Sequence, residues 1–189
     1  MISNKDKYKL YRPKKFLGQN FLVDENIAKK IVSFLDTKPG DTIIEIGPGQ
    51  GILTKHLALL NSDFHAVEID KHIFEKLKTE YGEKVKLIHK DFLKLDLSKE
   101  IISQNSKIKI IGNIPYNITT EILFKLYDSC DKIDCAVLMM QKEVALRLTA
   151  KPDTKEYGIL AIQTQLHTSP KILFNVPPTA FFPKPNVNS

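Results

Sequence analysis

A doubly wound, mostly parallel α/β sheet is the fold this sequence predicts, and three observations predict it. From residue 42 onward, short apolar runs alternate with stretches of helical period. The first run ends in glycines at alternate positions, Gly47, Gly49 and Gly51, and Ile52-Leu53 then begins a helical pattern. Polar residues close the successive runs, with Glu45 and Glu68 on the first two, Asp91 after the third and Asn113 on the fourth. Such a sheet carries its ligand at the carboxyl ends of its strands.

The elements follow in order. Residues 1–15 are polar and read as a flexible segment. A helix is expected next, with Asp24 as its N-cap and Ile27, Ile31, Val32 and Leu35 at helical spacing; Pro39-Gly40-Asp41 ends it. The first strand covers residues 42–46, and the glycine turn leads into a helix reaching about residue 60. Residues 64–69 read as the second strand, 73–81 as a helix and 85–89 as the third strand. The fourth strand and its turn occupy 108–117, a helix 118–129 and the fifth strand 134–141. Two helices are expected over 142–150 and 157–166, then a β-like run over 171–176. The proline-rich residues 176–189 are expected to be irregular, because proline lacks an N–H and fixes φ.

Composition narrows the class. A chain of 189 residues fits one domain with a substantial core, and 42% hydrophobic with 26% charged residues is ordinary for a soluble protein. No apolar run approaches the ~18 residues that span a bilayer, and the Lys-rich start leads into no signal-peptide-like run, so a cytoplasmic location and no membrane partner are expected. Cys130 and Cys135 lack the paired Cys or His pattern of a zinc site; two reduced thiols and no metal are expected. Net charge is +6. Lys5, Lys7, Lys9, Arg12, Lys14 and Lys15 are interleaved with Tyr8, Tyr11 and Phe16, a pattern that suits either a polyanion contact or a solvated tail.

Spacing bears on the ligand. A dinucleotide fingerprint places its third glycine three residues after the second, whereas Gly49 and Gly51 are two apart, and the Gly-Lys-Ser/Thr of a P-loop is absent. Glu45, just before the turn, suits a cationic ligand end and would repel pyrophosphate. Glu68 falls where a carboxylate accepts from both ribose hydroxyls, and Asp91 where one accepts from an adenine amino group. Together they fit an adenosine carrying a charged amino acid.

The fourth strand adds the reaction. Asn113-Ile114-Pro115-Tyr116 sets a carboxamide, a carbonyl and an aromatic ring in one rigid turn. Asn113 Oδ1 and the Ile114 carbonyl could each accept one N–H of an adenine amine, drawing its lone pair toward an electrophilic methyl, while Tyr116 stacks on the base. Positioning and electrostatics then do most of the catalysis, without a strong base. A helix-capping Asn beside a core Tyr is the alternative use of the same turn.

Taken together, GQNFL at residues 18–22, EIGPGQGILT at 45–54, the Glu68 strand, KDF at Asp91, NIPYNIT, QKEVALRLTAKPDTKEYGIL and FFPKPNVNS resemble the rRNA adenine N6,N6-dimethyltransferases. The likeness runs from Lys14 to Ser189, and the KEYGIL region favours the small-subunit, kasugamycin-resistance type over the large-subunit, macrolide-resistance type. The resemblance implies a Rossmann-like class I S-adenosylmethionine-dependent methyltransferase. Two adjacent adenines in a 3′-terminal hairpin of small-subunit rRNA, within a pre-30S or 30S particle, would be the acceptors of a monomeric enzyme of ribosome biogenesis.

Carried over by position, Asn20 and Leu22 would border the methionine end of the cofactor, with Gln19 nearby. Gly47, beside Gly49 and Gly51, would let the backbone approach closely. Glu68, with Ile69 next to it, would contact the ribose, and Asp91 and Phe92 would hold and cover the cofactor adenine. Asn113 would lie between donor and amine, and Tyr116 would stack the target base. Phe181 would stack or wedge from the other side, with Phe182 as the competing assignment. Residues 16–189 would form the catalytic domain, and the helical domain that follows in relatives is expected to be missing. The expectation is therefore cofactor binding with weak or altered methylation of the small subunit. Two other classes remain: a non-catalytic assembly factor on the same fold, which would tolerate loss of Asn113, and a nicotinamide-dependent oxidoreductase, which Glu45 and the glycine spacing disfavour.

Overall fold

The structure, a computed structural model, describes residues 13–14, 17–101 and 107–189. Of the basic segment, Pro13 and Lys14 fall inside these limits; Lys5, Lys7, Tyr8, Lys9, Tyr11, Arg12, Lys15 and Phe16 lie outside the described residues. The chain opens with β1 (Phe21–Leu22) and α1 (Glu25–Ser33), followed by β2 (Thr42–Ile46), a short α2 (Thr54–Leu57) and β3 (Asp63–Glu68). Next come α3 (Lys71–Tyr81), β4 (Lys86–His89), α4 (Leu97–Glu100), β5 (Ile108–Asn113) and α5 (Thr119–Tyr127). β6 (Ile133–Met139), α6 (Lys142–Leu148), α7 (Ile159–His167) and β7 (Phe181–Phe182) complete it.

Five strands form one sheet in the order β4-β3-β2-β5-β6, and every neighbouring pair is parallel. β2 lies at the centre and all five of its residues are buried. A parallel strand covered on both faces reads as a continuous apolar run rather than an alternating one, as residues 42–46 do. Alternate side chains feed opposite layers. Ile43, Phe64, Ala66 and Ile111 pack with Ala28, Ile31 and Leu35 under α1. Ile44, Ile46, Val67 and Ile110 pack with Ile122 and Leu126 of α5 and with Phe92, Leu95 and Leu97. The chain moves outward from β2 to β4, then returns to β5 on the other side. The order thus reverses beside β2, which opens a crevice above the carboxyl ends of β2, β3 and β5.

α1 begins where expected. Asp24 Oδ1 accepts from the N–H groups of Asn26 and Ile27 at 2.9 and 3.0 Å, a cap worth about 1 kcal/mol. Ile31 and Leu35 are buried, with Ile27 and Val32 packed at the margin.

Two expectations at the end of the chain are corrected. Residues 171–176 make no strand: Ile172 and Leu173 stay exposed, and only Val176 pairs, exchanging backbone bonds with Ser189 at 2.6 and 3.0 Å. Apolar and β-branched composition is insufficient without a ladder partner. Conversely, the segment expected to be irregular holds β7, which runs antiparallel to β1 with Phe21 opposite Phe182 and Leu22 opposite Phe181. The Val23 N–H extends the pairing to the Ala180 carbonyl at 2.8 Å.

Candidate active site

The crevice above β2, β3 and β5 is a cavity, and its walls bring together Gln19, Asn20, Leu22, Glu45, Gly47, Gly49, Glu68, Ile69, Asp91, Phe92, Asn113, Ile114, Pro115 and Tyr116. The glycine turn forms its floor. Gly47 has φ +61°, and a Cβ built there would meet nothing within 4 Å, so its backbone looks into open cavity. Gly51 is a correction: it does not line the cavity. Its φ is +87° and a Cβ there would meet Leu77 Cδ2 at 2.9 Å, so backbone conformation and the packing of α3, rather than a ligand, disfavour a side chain.

Glu45 is 1% exposed and accepts a hydrogen bond from Thr54 Oγ1 at 2.7 Å. Burial, together with the charge of nearby Glu68, pushes its carboxyl up to about 8. A cation arriving in the cavity would restore the ionised form. Glu68 is also buried, and burial raises its carboxyl. Its Oε1 accepts from the Asp70 N–H at 2.8 Å and its Oε2 from the Gly49 N–H at 3.2 Å. These bonds fix the carboxylate at the end of β3, and each oxygen keeps a further lone pair. Asp91 Oδ1 accepts from the Leu93 N–H at 3.0 Å, capping the turn that carries Phe92 onto the cavity wall.

The N-terminal side of the cavity is tied down at several points. Lys14 Nζ lies 2.9 Å from Asp70 Oδ2, and the Lys14 N–H donates to Gln19 Oε1 at 2.8 Å. Gln19 Nε2 in turn reaches Asp70 Oδ2 at 3.5 Å. The Asn20 carbonyl accepts from Asn113 Nδ2 at 2.7 Å. Because a carbonyl can only accept, this bond settles the orientation of the Asn113 amide and leaves Oδ1 for the cavity. The Ile114 N–H donates to the Met139 carbonyl at 2.9 Å, locking the turn to β6. The Pro115 carbonyl is taken by Thr119 Oγ1 at 3.0 Å and the Ile118 N–H at 3.2 Å. No such bond engages the Ile114 carbonyl among the described residues.

Phe181 is the second correction. Its ring is 4% exposed and packs in the core with Leu22, Val176 and Ala180, because the antiparallel pairing with β1 turns it inward. It is not a cavity residue. Strand alternation leaves Phe182, part exposed, on the opposite side. Sequence reading missed Thr54, Phe21 and Ser189. Thr54 lies nine residues after Glu45, and only the folded turn shows that it holds it. Phe21 stands within 3 Å of where a Gly49 Cβ would be. Ser189 Oγ lies 2.6 Å from the Tyr116 hydroxyl, a contact between distant segments that no local pattern signals.

The donor set fits an adenosine bearing an amino acid: three acids at successive strand ends, an open backbone at Gly47 and a buried carboxyl, Glu45, that no cationic side chain pairs with among the described residues. With the five-strand parallel order, this is the architecture of a class I S-adenosylmethionine-dependent methyltransferase. Solved structures agree. A dimethyladenosine transferase from Plasmodium falciparum superposes with a TM-score of 0.78 at 28% identity, over 89% of this chain and 60% of that one. The 23S rRNA methyltransferase ErmE shares the fold, with a TM-score of 0.72 at 24% identity.

The particular family follows from sequence: the ribosomal RNA adenine dimethylase model matches residues 11–189, and the chain belongs to that family. The Ribosomal RNA small subunit methyltransferase A of Chlorobium phaeobacteroides is 47% identical over the whole chain, which covers 69% of that relative. The protein of the same name from Francisella tularensis subsp. novicida is 44% identical over 94% of the chain and 69% of its own length. The chain thus spans about two thirds of the length of these relatives. Family membership sets aside the nicotinamide oxidoreductase. Among the described residues, no helix is long and apolar enough to cross a membrane.

Proposed function

We propose that the chain transfers methyl groups from S-adenosylmethionine to N6 of two adjacent adenines in the 3′-terminal hairpin of small-subunit rRNA, giving N6,N6-dimethyladenosine. The observation that carries this reading is the Asn113 turn. The Asn113 amide, anchored by the Asn20 carbonyl, presents Oδ1 to a cavity whose other walls hold Glu45, Glu68 and Asp91. The Chlorobium and Francisella relatives, both small-subunit methyltransferases by name, support the small subunit over the large as source of the RNA.

In this reading Glu45 faces the amino acid end of the cofactor, Glu68 the ribose, and Asp91 with Phe92 the adenine. Gly47, Gly49 and Ile69 shape the wall, and Gln19, Asn20 and Leu22 close the methionine side. When bound, S-adenosylmethionine supplies a methyl group on a positively charged sulfur. Asn113 Oδ1 and the Ile114 carbonyl accept N–H bonds from the target amine and hold it with its lone pair turned toward the donor. Pro115 keeps that carbonyl in place, and Tyr116 stacks on the flipped base. Phe182 does not line the cavity either, but it is part exposed opposite Phe21 of β1, which does, and so is the aromatic of this segment with room to meet the base from the other side. As the N–C bond forms, the sulfur–methyl bond of the donor would break and leave a neutral thioether; the amine becomes cationic, and its proton then leaves to solvent without a strong base. Residues 16–189 act as the catalytic unit, in the cytoplasm, as a monomer on a pre-30S or 30S particle.

The test is mass spectrometry of nucleosides from unmodified small subunits incubated with the chain and S-adenosylmethionine. N6,N6-dimethyladenosine confined to a 3′-terminal hairpin fragment is the expected product. Its absence, or methylation confined to large-subunit RNA, would overturn the reading.

A further inference from the structure

We propose that Ser189 is a positioning residue for this reaction: it sets the plane of the Tyr116 ring by holding its hydroxyl. The inference rests on the function proposed above, in which Tyr116 is the platform for the target base.

Tyr116 sits in a single 3-10 turn (Tyr116–Ile118) immediately after Pro115, and its side chain is half-buried on the cavity wall. Its Cα is fixed, because the Pro115 carbonyl is bonded twice and the Ile114 N–H is tied to β6. The ring beyond still has two free torsions. What closes off that freedom is the 2.6 Å hydrogen bond between the Tyr116 hydroxyl and Ser189 Oγ.

Ser189 is well anchored for this purpose. It is 8% exposed, and its backbone exchanges two hydrogen bonds with Val176, itself buried in the core. The residue before it, Asn188, accepts at 3.0 Å from the N–H of Lys142, the first residue of α6. The hydroxyl is thus held between the core and the β6–α6 junction, and it reaches the ring proposed to stack on the base. A stacking platform works only in a fixed plane, so the tether contributes preorganisation and no chemistry of its own.

The test compares Ser189→Ala, Tyr116→Phe, the double variant and Ser189→Thr in single-turnover methyl transfer to small-subunit RNA. Each single change is expected to slow transfer about 3- to 10-fold, the size of one neutral hydrogen bond. The double variant should be no slower than either single one, since both remove the same contact. Dissociation of S-adenosylhomocysteine should change less than about twofold, and Ser189→Thr should restore the rate. Multiplicative effects of the two changes, or a full rate in Ser189→Ala, would overturn the proposal. A second readout does not depend on RNA. Ultraviolet titration, with Tyr116→Phe identifying the signal of residue 116, should show its phenol ionising at higher pH in Ser189→Ala. If the wild-type chain methylates no RNA, the function fails, while an unchanged phenol titration would sink the tether separately.

Discussion

Glu45 carries an acid into the centre of the sheet, where it is 1% exposed and held up to about 8 by burial and by Glu68. An unfolded Glu ionises near its ordinary value, so between about pH 4.5 and 8 the folded chain keeps a proton that the unfolded chain has lost. The contribution of Glu45 to stability is therefore fully present below about 4.5 and falls as pH rises toward 8. Glu68, also raised by burial, acts in the same direction. Urea unfolding of Glu45→Gln should show a gain at pH 8 of up to a few kcal/mol and a loss of part of the pH slope. S-adenosylhomocysteine should bind the wild type more tightly as pH approaches 8, by at most about tenfold per unit, and the variant without that dependence. An unaltered pH slope in the variant would refute the assignment. At this scale the sequence announces which polar residues close the strands. It does not announce their protonation or partners, because Thr54 and Glu68 reach Glu45 only once the turn has folded and β2 and β3 have paired.

Lys109 shows how one element is fastened to another. It is the second residue of β5, at the amino end and away from the cavity, and it is 9% exposed. Its Nζ donates to the carbonyls of Leu35 and Asp36 at 3.0 and 3.2 Å and pairs with Asp134 at 3.1 Å. Burial pulls its pKa down, but the hydrogen bond to Asp134 and the nearby negative charges hold it above the usual lysine value. Lys109→Met should cost about 1–3 kcal/mol in urea unfolding by leaving the carbonyls beyond α1 without a donor, while cofactor affinity is unchanged. Loss of affinity equal to the loss of stability would place Lys109 in the site instead. The periodic elements were legible: α1, the five parallel strands and α5 follow from pattern and punctuation. The β1–β7 pair was not, since Phe21-Leu22 and Phe181-Phe182 are too short to show a period and their partners are remote in sequence. The same gap misplaced Phe181, whose inward face is decided by register against Leu22.

At the scale of the molecule, one segment joins the two halves of the site. Residues 18–22 place Phe21 against Gly49, give the Asn20 carbonyl to Asn113 and pair with β7. The glycine turn and the Asn113 turn are thereby held in one frame, as the proposed differential stabilisation of a transition state requires. That these strand ends share one cavity was legible from Glu45, Glu68, Asp91 and Asn113 in order along the chain, because a parallel sheet brings successive strand ends to one edge. Gly51 misled, since a glycine required by packing and one required by a ligand look alike in sequence. The central claim is that the cavity holds the donor and Asn113 directs the acceptor. It is tested most directly by measuring S-adenosylhomocysteine affinity and methyl transfer together in Asn113→Ala. Affinity should be retained and transfer should fall at least ~10²-fold, comparable to losing one preorganised polar group at a reacting centre; transfer at the wild-type rate would contradict it.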